Sequence, residues 1–106
     1  MQNLFNEIIE CLKEHNLTWA DVQWVGTNQY TFSIGHFRNI ALDINYNNEY
    51  GIQEINPNLK IVGSDWWLER HEYDGSEWWE FKTMPIKPSY NIIPLEKNIY
   101  EDFILR

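Results

Sequence analysis

The feature that most constrains this chain is a pair of tight-turn dipeptides, Gly63-Ser64 and Asp74-Gly75, set between three runs of alternating residues. Asp-Gly favours a type I′ hairpin turn, and Gly at the first central position suits type II′. Segments 59–62, 65–73 and 76–83 therefore read as three antiparallel strands. A two-residue turn at 74–75 places 72 opposite 77, 70 opposite 79, 68 opposite 81 and 66 opposite 83. A two-residue turn at 63–64 places 61 opposite 66 and 59 opposite 68. Alternate residues share a face. One face then collects Leu59, Ile61, Trp66, Leu68, Trp79 and Phe81; the other collects Lys60, Trp67, Glu69, His71, Trp78, Glu80 and Lys82. A slip of one residue would mix the two sets, so the pattern specifies its register.

The flanking segments supply helices for the apolar face. Leu4, Phe5, Ile8, Ile9 and Leu12 recur at helical spacing, with Asn3 as cap, and predict a helix over 3–15. Thr18 can cap a single turn at 19–21, and 22–25 with 30–32 reads as a short hairpin. Ser33 caps a second helix over 33–45, with Phe37, Ile40, Ala41 and Ile44 on one side. Segment 47–57 reads as a loop with a short extended piece at 51–55. Pro85, Pro88 and Pro94 make 85–94 extended and irregular, and Leu95, Ile99 and Phe103 suggest a last helix over 95–105. The expected fold is one α+β domain spanning 1–106. It is a three-stranded, or five-stranded, antiparallel β-meander packed against two or three helices. Trp66, Leu68, Trp79 and Phe81 should be buried with Ile8, Phe37 and Ile40.

Composition narrows the function by exclusion. Sixteen Asp and Glu against eight Lys and Arg leave a net charge of −8, so no basic footprint for direct nucleic-acid binding is present. A 16% aromatic content is too rich for a disordered chain. The single cysteine, Cys11, rules out an intrachain disulfide and a cysteine-based zinc site. No segment approaches the ~20 apolar residues of a membrane helix, and the N-terminus lacks the basic start and apolar stretch of a signal peptide. The reading is cytoplasmic, with Cys11 a reduced thiol. No phosphate loop, dinucleotide fingerprint or nucleophile elbow occurs. His15 reads as a cation near the end of the first helix and His36 as an exposed first-turn residue. The expectation is a non-enzyme with no cofactor.

The polar face of the meander carries the remaining information. Trp67 and Trp78 stand there among Glu69, His71, Glu80 and Lys82, and large aromatics beside charge mark protein-binding surfaces. Glu69, His71 and Glu80 form an alternative metal- or ligand-binding cluster, because 69 faces 80 with 71 diagonal to it. Ordinary surface pairs, Glu80 with Lys82 or Arg70 with Glu72, account for the same charges. Asp65, Glu69, Glu72, Asp74, Glu77 and Glu80 outnumber Arg70 and Lys82 along the hairpin. Spaced carboxylates of this kind can compete for a basic groove.

The block Asp65-Trp66-Trp67-Leu68-Glu69-Arg70-His71-Glu72-Tyr73-Asp74-Gly75-Ser76-Glu77-Trp78-Trp79-Glu80-Phe81-Lys82 resembles small proteins of phages and prophages of low-GC Gram-positive bacteria. Trp19-Ala20-Asp21-Val22-Gln23-Trp24-Val25-Gly26 is similar to another part of that group. The resemblance spans about residues 18–85 and brings no mechanism with it. Small acidic phage proteins of such hosts include anti-CRISPR proteins, which bind effectors such as Cas9. By that analogy the chain is expected to act in the host bacterial cytoplasm as an inhibitor of a host defence nuclease, most readily a type II CRISPR effector. Trp67 and Trp78 would be the anchors, with Glu69, Glu72, Asp74, Glu77 and Glu80 facing Lys or Arg of the partner's nucleic-acid groove. A self-associating phage structural protein, a homodimer through the same aromatics, is the other reading.

Overall fold

The computed structural model describes residues 1–89. The chain order is β1 (Gln2–Asn3), α1 (Leu4–Glu14), a single 3-10 turn (Trp19–Asp21), β2 (Trp24–Gly26), β3 (Thr31–Phe32), α2 (Ile34–Ala41), β4 (Asn45–Tyr46), β5 (Lys60–Val62), β6 (Trp66–Tyr73) and β7 (Ser76–Thr83). Five strands form one antiparallel sheet in the order β3-β2-β5-β6-β7, and β1 with β4 forms a separate two-stranded sheet. This is the α+β meander with helices that the sequence implied. The predicted helix over 95–105 lies outside the described residues.

The β6–β7 hairpin follows the sequence register. Glu72 faces Glu77, Arg70 faces Trp79, Leu68 faces Phe81 and Trp66 faces Thr83. Asp74 (φ 51) and Gly75 (φ 87) both take the left-handed region, as a type I′ turn demands. A Cβ on Gly75 would also stand 3.0 Å from the Gly51 carbonyl oxygen. Gly75→Val is therefore expected to destabilise the protein by about 1–3 kcal/mol, since a β-branched residue resists positive φ. Urea denaturation of the variant checks this; an unchanged midpoint would contradict it.

The β5–β6 turn differs from the expected one. Ile61 faces Leu68, not Trp66, and Lys60 faces Glu69. The Gly63 N–H donates to the Trp66 carbonyl oxygen at 2.9 Å, so the two loop residues are Ser64 and Asp65. Gly63 is not at positive φ. Its value is space: a Cβ there would sit 2.0 Å from Cε2 of the Trp66 ring. Close approach of an indole, and not a II′ turn, is the reason for glycine. The partner shift is two residues, so every side chain keeps its predicted face.

Two other corrections concern the first half of the chain. The second helix stops at Ala41 instead of continuing to 45, because Asn3 captures the following segment. Its Oδ1 caps α1 by accepting from the Asn6 N–H at 3.0 Å, while its Nδ2 donates to the Leu42 carbonyl oxygen at 2.9 Å and to Asn45 Oδ1 at 3.1 Å. The Leu4 N–H donates to the Ile44 carbonyl oxygen at 2.9 Å. These bonds draw 45–46 out into β4. The shortened α2 rests on α1 and β2 through Ala41, Ile34 and Phe37. Ile40 points away and is 49% exposed, not buried as expected.

The core lies between α1 and one face of the sheet. Leu4, Phe5, Ile8 and Leu12 of α1 pack with Val25, Ile61, Trp66, Leu68 and Trp79. Phe81 is half-buried; its ring stacks on His15 at 3.7 Å between centroids and on Trp66 at 5.8 Å. Trp19 packs edge-on to Phe5 at 5.1 Å and stacks on Phe37 at 6.2 Å, joining the 3-10 turn to both helices. Among the described residues no helix is long and apolar enough to cross a membrane.

Candidate protein-binding surface

The pairing of five strands sets out the second face of the sheet residue by residue. Trp24, Val62, Trp67 and Lys82 form one cross-strand row. Gly26, Lys60, Glu69 and Glu80 form the next, then His71 beside Trp78, then Tyr73 beside Ser76. None of Trp24, Val62, Trp67 and Trp78 belongs to the core cluster. Trp24 is 38% and Trp78 36% exposed, and Trp67 is half-buried among its neighbours.

The carboxylates on this face hold the tryptophans. Trp67 Nε1–H donates to Glu69 Oε1 at 2.6 Å, and Trp78 Nε1–H donates to Glu80 Oε2 at 3.1 Å. In each case donor and acceptor are two apart on one strand, the spacing that puts side chains on one face. Glu69 and Glu80 are directly opposite, a repulsive arrangement unless compensated. His71 lies between them, Nε2 2.7 Å from Glu69 Oε2 and Nδ1 3.5 Å from Glu80 Oε2, with its ring stacked 6.4 Å from that of Trp78. Lys82 Nζ adds a contact of 3.1 Å to Glu80 Oε1. The hydrogen bond from Trp67, followed by those of His71, holds the Glu69 carboxyl below the usual range. Lys82 and then Trp78 do the same for Glu80. Each indole N–H is thus tied to a carboxylate of its own strand.

The same geometry bears on the metal reading. His71 turns one ring nitrogen toward each carboxylate, so the three groups do not converge on one point. Among the described residues no three His, Cys, Asp or Glu side chains are placed to hold a metal ion.

Glu72 and Asp74 are exposed at the hairpin tip, as expected, and Glu72 Oε2 accepts from the Gly75 N–H at 3.3 Å. The 47–57 loop, whose placement the sequence pattern does not show, lies against this tip. Ser76 Oγ donates to the Glu49 carbonyl oxygen at 3.2 Å, and the Glu77 N–H to that of Asn48 at 2.8 Å. The loop lays the Tyr50–Gly51 backbone against Gly75, and Glu49 and Tyr50 are exposed there. Trp24 was also missed, because no tight turn ties β2 to β5 in the sequence.

Glu77 is the clear correction among the predicted partner contacts. It is 1% exposed and cannot meet a partner's cation. The register puts it on the core face, where Arg70, 5% exposed, donates from Nη2 to Glu77 Oε1 at 2.7 Å. The same carboxylate accepts the backbone N–H groups of Glu54 at 2.7 Å and Ile55 at 3.1 Å. Arg70 pairs with Glu77, not Glu72, and Nη2 also donates to Tyr46 Oη at 3.0 Å. Tyr46 in turn donates to Glu7, whose carboxylate lies 3.8 Å from Arg70 Nη1.

Burial, opposed by the Tyr46 hydrogen bond and Arg70, pushes the Glu7 carboxyl above its ordinary value. A carboxyl raised in the folded state favours folding when protonated, and that contribution is lost as pH rises through the folded value. Glu7→Gln is therefore expected to gain stability relative to the parent between pH 4 and pH 8. Thermal midpoints at both ends check this, and a pH-independent difference would contradict it. Burial, with Glu14 and Glu7 nearby, raises the Cys11 thiol to about 11, which leaves it protonated and inert at neutral pH.

No protein family, curated protein or solved structure was found to match this chain.

Proposed function

We propose that this chain is a non-enzymatic inhibitor that docks on a basic protein groove. The groove is the nucleic-acid channel of a host defence nuclease, a type II CRISPR effector such as Cas9. The observation that carries the docking role is the open sheet face, on which the Trp67 and Trp78 indoles are locked by Glu69 and Glu80 beside Trp24 and Val62. Anchors held in place lose little side-chain entropy on binding, and buried aromatics dominate interface energies. The net charge of −8 and the exposed Glu72, Asp74 and Glu49 at the tip favour a cationic partner. The nuclease is supported by the resemblance of the tryptophan-rich block to phage proteins, and it sets the place of action in the host bacterial cytoplasm.

The test is inhibition of DNA cleavage by purified Cas9 and direct binding to it. Reversing Glu72 and Asp74 to Lys should slow association, and rising salt should weaken binding. Trp24→Ala and Trp78→Ala should speed dissociation. Absence of binding removes the nuclease. Binding that ignores both tryptophans removes the open face.

A further inference from the structure

We propose that the edge of β7 pairs with the same edge of a second copy, making a two-fold dimer with one continuous sheet. β7 ends the five-stranded order, is eight residues long and runs beside β6 without a bulge. Natural edge strands of that length are normally shortened, bulged or covered, because their free N–H and C=O groups recruit another strand.

The hydrogen bonds show which groups point outward. The Met84 N–H donates to the Asp65 carbonyl oxygen, so the even-numbered residues of this segment bond to β6. The odd-numbered ones face away. The Glu77 N–H accordingly reaches the Asn48 carbonyl oxygen, which covers that end of the edge. The outward backbone groups of Trp79, Phe81 and Thr83 have no backbone partner among the described residues. Two residues beyond Thr83, Pro85 has no N–H to offer.

These limits select one antiparallel register, with Phe81 opposite Phe81 of the second copy. Trp79 then faces Thr83 of the second copy and Thr83 faces its Trp79, and each pair exchanges both backbone bonds. Centring on residue 79 would require the Glu77 N–H, already used. Centring on residue 83 would set Phe81 against Pro85. Centring on residue 80 or 82 would oppose Glu80 to Glu80 or Lys82 to Lys82, which is repulsive. Centring on Phe81 instead sets Glu80 against Lys82 of the second copy, twice over by symmetry. The interface is self-complementary in charge and in hydrogen bonding, as a two-fold contact must be.

The experiment is sedimentation equilibrium of the chain alone over micromolar to millimolar concentration, with circular dichroism confirming the fold of each variant. The parent should be a dimer at the upper end. E80K or K82E alone turns both pairs repulsive and should raise the dissociation constant about tenfold. The double variant E80K/K82E should restore the dimer, and so should an equimolar mixture of the two single variants, which a purely structural role would not produce. Thr83→Pro removes an outward N–H without breaking a bond to β6, and it too should favour the monomer. A monomeric parent at every concentration overturns the proposal, as does a dimer indifferent to all these changes. No nuclease is present in these measurements, so their outcome is independent of the inhibitor reading.

Discussion

Glu77→Ala is expected to cost about 3–5 kcal/mol of stability, because it removes the nearer, hydrogen-bonded anion of the buried Arg70 guanidinium. The cost has two sources. Arg70 Nε and Nη1 are already buried without a hydrogen bond, so losing the Glu77 bond leaves the charge with only Tyr46 Oη on Nη2 and the more distant Glu7 carboxylate. The N–H groups of Glu54 and Ile55 also lose their acceptor, which frees the loop that braces the hairpin tip. Urea denaturation measures the first effect, and hydrogen exchange at Glu54 and Ile55 measures the second. Glu77→Gln should recover part of the loss by keeping an acceptor. Pairing Glu77→Leu with Arg70→Met should be less harmful than Glu77→Ala, since the buried guanidinium is removed together with its carboxylate. A loss below about 1 kcal/mol for Glu77→Ala would mean the carboxylate is effectively solvated.

The buried pair also shows how far the sequence could be read. Asp74-Gly75 admits one turn geometry, and that turn placed every residue of β6 and β7 on its observed face. In that register Arg70 and Glu77 fall on the side of Leu68 and Trp79, yet the sequence reading turned Glu77 toward a partner. Charges are seldom buried, so Glu77 was read as solvated; its partners are in β6 and in a loop more than twenty residues away, which no local pattern reveals. Gly63-Ser64 misled because glycine served the Trp66 ring and not the backbone angle. The helix over 33–45 was overextended because apolar spacing says nothing about Asn3, whose side chain ends it from the far end of the sequence. Trp67 and Trp78 were legible as a pair on the polar face. Their carboxylate locks follow from spacing on one strand, whereas Trp24 joins them only through the non-local pairing of β2 with β5.

Trp78 and Trp79 should separate stability from binding more sharply than any other neighbouring positions among the described residues. They are consecutive on β7 and point to opposite faces. Trp79 is 8% exposed, packs in the core cluster and lies under the Arg70 guanidinium, 4.7 Å from the ring centroid. Trp79→Ala is expected to cost about 3–5 kcal/mol, the sum of lost burial and the cavity left beneath Arg70. Trp78 is 36% exposed, and its indole N–H donates to Glu80 beside the His71 ring. Trp78→Ala is expected to cost about 1 kcal/mol or less in the same denaturation experiment. In the nuclease assay the order should invert. Trp78→Ala should shorten the lifetime of the complex with the fold intact, while folded Trp79→Ala protein should bind almost normally. Equal losses of stability in the two variants would show that the second face is also packed. The open-face reading would then fail together with the docking role built on it.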